Sequence, residues 1–393
     1  MLKDYLVDLH IHIGAGKNGQ AVKITASKNL NFENILKESL YNKGLNIVGI
    51  IDCASPVVIS DMEKLLESGE MHELEDGGIE YGDLLIIPGS EIESREENGG
   101  QAHYLAYFPY LKNIKDYSEV MNQYISNINL SSQSTGLTGR EILQIVEYHE
   151  GVLIPAHVFT PYKSFYGKSF TSYQEVFSDK EWDRIPAIEL GLSADTYLAD
   201  YIDELEDKTF ISNSDAHSLI KIAREYNKMR MKSLSFKELM YALKRVNGRG
   251  VIKNYGLDPR LGKYHRSFCP DCERNFTLKY PVLECPECGR QGIVVGVKDR
   301  ILEISDRKVS ITPDHRGEYI HQIPLRDIPG IGKRTYQNLL EEFGTEMKVI
   351  HQTTAEDLLR VVNKIIRDRI IKARSGNIEI KDGGGGNYGK VMG

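Results

Sequence analysis

The chain has 393 residues, 41% hydrophobic and 27% charged, the composition of a globular protein long enough for two or three domains. No apolar run approaches the ~20 residues of a membrane span, and the N-terminus carries no signal-peptide pattern, so neither a membrane protein nor a secreted one is expected. The net charge of −7 divides unevenly: residues 1–247 carry 24 Lys+Arg against 37 Asp+Glu, and the remainder 25 against 19. An acidic first part suits cations and a basic second part suits a polyanion, although two solvated surfaces would show the same balance.

Aliphatic and β-branched runs at 5–12, 46–52, 84–91, 103–108, 152–157, 187–191 and 209–217 predict seven strands. Helical spacing of apolar residues predicts helices over 32–43 (Phe32, Ile35, Leu36, Leu40), 139–149 and 236–246. Strands alternating with helices point to a parallel α/β arrangement, and seven of them suit a barrel. Nearly every predicted strand has a His, Asp or Glu at or beside its apolar run, and the strand carboxyl ends form the functional face of such folds. Beyond them, 248–264 reads as a linker or short connecting element, 265–296 as a cysteine module, 298–323 as a few short strands and 325–374 as helical. The glycine-rich tail reads as mobile. The expected domains are 1–247, 248–324, 325–375 and the tail 376–393.

In Asp8-Leu9-His10-Ile11-His12, alternate residues of a strand share a face, so His10 and His12 can hold one metal ion. Glu91, His103, His157, Asp215 and His217 are further candidate ligands. Two or more catalytic divalent ions are expected (Zn²⁺, Mn²⁺ or Mg²⁺), and the imidazole-carboxylate mixture suits the first two better. Glu91 has two oxygens and can bridge; ions ~3.5–4 Å apart suit in-line hydrolysis of a phosphoester. Glu189 either lines this site or orients a histidine. Cys53 is either a thiolate ligand or a small buried residue.

Four of the five cysteines form two C-x₂-C knuckles, Cys269/Cys272 and Cys285/Cys288, the pattern of one closed structural Zn²⁺ site. Asp327 to Thr335, followed by Tyr336, Leu339, Leu340 and Phe343, resembles a helix-hairpin-helix motif. Its Gly330 and Gly332 allow close backbone approach, and Lys333 and Arg334 add charge for gripping a DNA phosphate without reading sequence. An ordinary glycine-containing turn is the alternative.

The strings D-L-H-I-H, I-I-D, P-G-S-E-I-E, A-H, P-A-H and S-D-A-H, in this order over residues 1–245, resemble the PHP (polymerase and histidinol phosphatase) superfamily. That resemblance implies a distorted seven-stranded (β/α) barrel and a metal-dependent phosphoesterase. It places His10, His12, Glu91 and Asp215 on one ion and Glu91, His103 and His157 on a second. A third site is degraded: Gly14, Gly16 and Asn18 stand where a histidine is usual, Cys53 follows Asp52 in place of another, and His217 alone remains. Longer strings at 22–30, 52–56, 130–133, 155–161 and 255–266, with the glycine-rich tail, resemble the endonuclease Q family over the whole chain.

This second resemblance implies a DNA repair nuclease that nicks 5′ to uracil, hypoxanthine, xanthine and abasic sites. Its implied partner is damaged DNA, with a sliding clamp as a further candidate, and its implied location is cytoplasmic and nucleoid-associated. A deaminated base must leave the stack to be tested. Lys23, Ser27, Phe159, Tyr162 and Lys163, with Phe165 and Tyr166, are the pocket candidates; Arg260, Lys263 and Arg266 are the phosphate-contact candidates. Asp8, Glu91, Asp215 and His217 are the expected catalytic residues, with Asp8 orienting ligands or accepting a proton, and the product keeps a 3′-hydroxyl. The competing readings are a 3′ exonuclease or small phosphomonoesterase, and a non-catalytic nucleic-acid-binding protein. The presence of His12, Glu91 and Asp215 argues against the last.

Overall fold

The first strand, β1 (Lys3–Ile11), lies at the centre of a ten-stranded mixed sheet. The computed structural model describes residues 1–276, 281–374, 376, 380–381, 383 and 387–391. Its strands continue with β2 (Ile47–Ile50), β3 (His72–Glu73), β4 (Ile79–Tyr81), β5 (Leu84–Glu93), β6 (His103–Tyr107), β7 (Val152–Pro155), β8 (Ala187–Glu189), β9 (Thr209–Ile211), β10 (Tyr226–Met231) and β11 (Gly250–Gly256). The shorter β12 (Phe268–Cys269), β13 (Arg274–Asn275), β14 (Glu318–His321), β15 (Ile380–Lys381) and β16 (Lys390–Val391) follow, and the first helices are α1 (Phe32–Lys37), α2 (Pro56–Glu67), α3 (Leu111–Met121), α4 (Gly139–Tyr148), α5 (Asp179–Arg184) and α6 (Thr196–Ala199). The sheet runs β14-β11-β10-β1-β2-β5-β4-β3, with β6 on β5 and β7 on β6, while β8 and β9 form a parallel pair of their own.

All seven predicted strands are present, but they are parallel only in part. β1, β2 and β5 run parallel, with Val7 opposite Ile47 and Ile47 opposite Leu85. β6 is antiparallel to both β5 and β7. The stretch between Glu93 and His103 is too short for the crossover of a dozen or more residues that a parallel partner needs. One apolar cluster draws on the strands in turn through Leu9, Ile51, Ile87, Leu105, Ile154 and Ile211, and α7 (Phe236–Leu243) caps it with Leu239 and Leu243. This shared core ties the β8–β9 pair to the main sheet.

Two expectations for the middle of the chain need correction. The expected linker contains β11, paired antiparallel with β10, because Val251, Asn254 and Tyr255 are buried; Asn254 Nδ2 donates to Phe210 O at 3.0 Å. The stretch expected as short strands opens with α8 (Val297–Ile304), whose Val297 and Ile301 turn inward at helical spacing, and only β14 of it is a strand.

The C-terminal region is helical, with α9 (Lys333–Phe343), α10 (Glu346–His351), α11 (Ala355–Leu358) and α12 (Lys364–Arg374). A buried ion pair fastens it to the sheet body: Lys43 Nζ lies 2.7 Å from Glu346, which also accepts from Leu325 N at 3.0 Å and Tyr336 Oη at 2.8 Å. Deleting one member of such a pair costs ~3–5 kcal/mol, because the other charge is left buried alone. The tail expected to be mobile is held at its described residues: β15 pairs with β16, Gly383 N donates to Arg260 O at 2.7 Å, and Gly389 N donates to Leu261 O at 2.9 Å. The rest of the glycine run, residues 382 and 384–386, lies outside the described residues. No helix among the described residues is long and apolar enough to cross a membrane.

Candidate active site

The end of β1 delivers His10 and His12, both buried, toward one point. Each is oriented through Nδ1 by a carboxylate. His10 Nδ1 lies 3.0 Å from Glu189 Oε1, and His12 Nδ1 lies 3.1 Å from Asp52 Oδ2. These bonds leave both Nε2 atoms aimed inward. His10 Nε2 is 3.5 Å and His12 Nε2 3.3 Å from Asp215 Oδ1. Glu91, from β5, lies between the histidines: His103 Nδ1 is 3.1 Å and His157 Nε2 3.4 Å from its Oε1, while His12 Nε2 is 3.8 Å from its Oε2. His217 reaches Asp215 Oδ1 at 3.4 Å.

Two of these residues sit in the left-handed backbone region, His157 at φ +29° and Asp215 at φ +45°. Such strain concentrates at functional sites and persists when neighbours hold it. Glu189 Oε2 accepts His157 N at 2.8 Å, and Arg224 donates to Ser214 O and, at 3.2 Å, to Asp215 O.

The donor set fits metal ions. Three triplets each bring their ligand atoms within 4.8 Å of one another: His10, His12 and Glu91; His12, Asp215 and His217; Glu91, His103 and His157. Two ligands on an ion with ~2.1 Å bonds lie ~3.4 Å apart in tetrahedral geometry, close to the separations just given. His10 Nε2 is buried with no hydrogen-bond partner among the described residues, a costly state that a bound cation would relieve.

Charge reinforces the fit. Burial disfavours the charged form of His10, but the Glu189 and Asp215 carboxylates overcome it and hold His10 up to about 10. His103 is likewise held up to about 9, against burial, chiefly by Glu91. Burial opposes ionisation of Glu91 too, yet His103 and Lys23 hold it well below the usual carboxylate range. The cluster is therefore a set of anionic carboxylates facing displaceable protons.

Asp8 is buried beside the cluster and oriented by backbone donors. Its two oxygens accept Ser214 N at 3.0 Å and Ala223 N at 2.9 Å, so it ties β1 to the segment carrying Asp215. Cys53 is fully buried in the apolar core, where burial pushes its thiol up, and it is in none of the ligand triplets found among the described residues. Glu189 is a positioning residue, shared between His10 and His157 and steadied by Asn213 Nδ2 at 2.8 Å.

Sequence reasoning missed Asp52 as the partner of His12. It also missed Glu93, which lies 3.4 Å from His103 Nε2 and 2.7 Å from Lys163 Nζ, and Ser131 and Ser132, which bond Asp52 and Glu91. The strand alternation Glu91-Ile92-Glu93 and the Leu130–Gln133 string carried those signals.

The DNA-contact candidates divide. Lys23 Nζ bonds Glu91 at 3.0 Å, inside the ligand cluster. Phe159, Phe165 and Tyr166 are buried together against Trp182 and Phe177, so they are core and cannot stack on a base. Arg266 is buried against Asp299 at 3.3 Å, and Arg260 is paired with Asp258 at 2.7 Å. Burial excludes Arg266 as a phosphate contact. Ser27 is exposed, and its N–H donates to His217 O at 2.8 Å. Tyr162 and Lys263 line a cavity of about 420 Å³ together with His157, Asp215 and His217, within the usual range for ligand sites.

The four cysteine sulfurs also converge, within 4.8 Å of one another, and none forms a disulfide. Cys269–Cys288 and Cys272–Cys285 are each 3.8 Å apart, matching the ~3.8 Å edge of a tetrahedron with ~2.3 Å Zn–S bonds. In the helical region, Gly330 adopts φ +92° and turns the chain into α9, leaving Gly332, Lys333 and Arg334 exposed at its start. What precedes the turn is a single 3₁₀ turn, Leu325–Asp327.

Fold and site together define a mixed α/β protein with a candidate polynuclear metal centre and a four-cysteine module. No protein-family model matches the chain. It is 44% identical over 392 residues to the uncharacterized protein YqxK of Bacillus subtilis (strain 168), spanning 99% of this chain and 100% of that protein. The lesion-specific endonuclease PfuEndoQ of Pyrococcus furiosus superposes with a TM-score of 0.83 at 33% identity, over 99% of this chain and 95% of its own. An endonuclease Q complex with a 27-mer duplex substrate, an abasic lesion at its active site, gives 0.82 at 33% identity over 100% and 96%. The chain belongs to the endonuclease Q family.

Proposed function

We propose that the chain is a DNA repair endonuclease that hydrolyses the phosphodiester bond 5′ to uracil, hypoxanthine, xanthine and abasic sites and leaves a 3′-hydroxyl. The observation that carries this reading is the Glu91-centred cluster at the edge of an open cavity, in a chain related along its whole length to a lesion-specific endonuclease. The wall of strands from β1 to β9 is read as the distorted seven-stranded barrel.

His10, His12, Glu91 and Asp215 would hold one divalent ion, and Glu91, His103 and His157 a second. His217 with His12 and Asp215 is the place for a third. When bound, such ions supply Lewis acidity: they lower the pKa of water and neutralise charge on a phosphate. The protein's own part is orientation. Glu189 and Asp52 fix the ring positions of His10 and His12, and Asp8 holds the Asp215 segment in register with β1. Asp215 and His217 keep about a third of their side-chain surface exposed, at 33% and 35%, so they face the substrate side of the cluster. The exposed start of α9, with Lys333 and Arg334, would grip a phosphate of the flanking duplex, and the cysteine module would hold one structural Zn²⁺.

The test is a nicking assay on end-labelled duplexes carrying one uracil, hypoxanthine, abasic site or no lesion, with Asp215→Ala as control. A single cut 5′ to each lesion, absent from intact DNA and from the control, is the expected result. Ladders growing from the ends regardless of lesion would establish an exonuclease instead. Release of phosphate from small esters without any nicking would establish a phosphomonoesterase.

A further inference from the structure

The described part of the C-terminal tail returns to the cavity beside the metal-ligand cluster. β15 and β16 pair, and Gly383 and Gly389 donate their N–H groups to Arg260 O and Leu261 O, which bends the segment onto the turn before Lys263. Gly389 is required for this approach: a Cβ there would stand 2.6 Å from Lys381 O and 2.9 Å from Arg260 O. The docking brings Tyr388 into the wall of the cavity that also holds His157, Asp215 and His217. Tyr388 remains 49% exposed, so its ring is open to a ligand.

The ring has polar and aromatic company. Lys263 Nζ lies 5.5 Å from the Tyr388 centroid and 5.3 Å from that of Tyr264, within cation–π range of both. Tyr264 in turn meets Tyr162 edge-on at 5.6 Å. The cavity is therefore lined both by an aromatic group with a cation among its rings and by His157, Asp215 and His217 of the metal-ligand cluster. Such a lining suits a nucleobase, because every base offers a π-face to an aromatic ring.

We propose that the C-terminal tail is part of the substrate site, and that Tyr388, positioned by Lys263 and the Gly389 contact, stacks on the base of the nucleotide whose 5′ phosphodiester is cut. The inference rests on the lesion-directed nicking reading. Stacking is indifferent to the exchanged exocyclic group, so Tyr388 supports deaminated bases generally and leaves discrimination among them to other residues. An abasic site has no base to stack, which gives the proposal its internal control.

The experiment compares the full chain with Tyr388→Ala and Tyr388→Phe, measuring kcat/KM for nicking of uracil, hypoxanthine and abasic duplexes. Tyr388→Ala is expected to lower kcat/KM on both base-containing substrates by ~5- to 150-fold, the range of a lost base–aromatic stack, while the abasic rate stays within about twofold. Tyr388→Phe is expected to restore the two lost rates, because it keeps the ring. An equal fall on all three substrates would mean a structural role for the tail and would overturn the proposal, as would no change on any. Failure of the unmodified chain to nick any lesion would overturn the nicking reading itself, a result distinct from these.

Discussion

The two candidate metal-holding regions of this chain are built on opposite plans. The four cysteines come from one short stretch, their sulfurs need no other side chain to orient them, and the spacing leaves no position for a substrate. The Glu91 cluster takes ligands from β1, β5, β6 and the segments following β7 and β9, and its His10 and His12 are aimed by carboxylates, Glu189 and Asp52, that are not themselves in the ligand triplets. A closed sulfur site makes its module fold, so ion and structure form together. The open site exists only once the whole sheet is in place, and it faces a cavity. Under the proposed function, the first ion would serve structure and the others chemistry.

The largest effect that would sharpen this contrast is expected at Glu91, the carboxylate shared by two of the ligand triplets. Glu91→Ala should reduce lesion nicking by ~10³-fold or more, several kcal/mol of lost charge stabilisation, with one tightly held zinc remaining per chain. Cys285→Ser should do the reverse to the metal content, removing that zinc and leaving the Glu91 cluster loaded. Elemental analysis beside the nicking rate reads both, and matching metal losses in the two variants would break the distinction.

A smaller effect is expected one layer out. Glu189→Gln removes the charge that aims His10 and supports His157, and should weaken metal affinity or activity by ~10- to 100-fold, the usual cost of losing such a partner. An unchanged metal-titration curve would show that the rings hold themselves.

The last effect needs no substitution and is a pH dependence. His10, held up to about 10, and His103, held up to about 9, keep their protons at neutral pH until a cation displaces them. Because those values are raised, the proton barrier is present below them and disappears as pH climbs through them. Metal affinity should therefore rise toward pH 9 to 10, by up to about tenfold per pH unit for each proton displaced. Calorimetric titration in two buffers of different ionisation enthalpy at pH 7.5 should show proton release; none would contradict the protonated resting cluster.

Much of this plan was legible in the sequence, for identifiable reasons. Strand alternation alone puts His10 and His12 on one face, and the C-x₂-C knuckles announce their own convergence. Long-range hydrogen bonding was hidden. Nothing local marks Asp52 as the partner of His12 or Asn254 as the tie to β9, since both depend on how distant strands meet. Composition misled where polar residues serve the interior. Arg266 looked like a phosphate contact and is buried against Asp299, Phe159 looked like a stacking residue and is core, and the 248–264 segment looked like a linker while its residues 250–256 build β11. The glycine-rich tail read as mobile because glycine is flexible in isolation, whereas Gly389 is there so that two backbones can meet.

The most direct test of the division of labour is graded metal removal followed by add-back, with nicking of a uracil duplex and metal content followed together. Chelation should abolish nicking while about one zinc per chain stays bound, and activity should return in step with the ions that refill the Glu91 cluster. Nicking that persists with the cysteine zinc as the sole remaining metal, or that vanishes only when that zinc leaves, would contradict the assignment of chemistry to the Glu91 cluster.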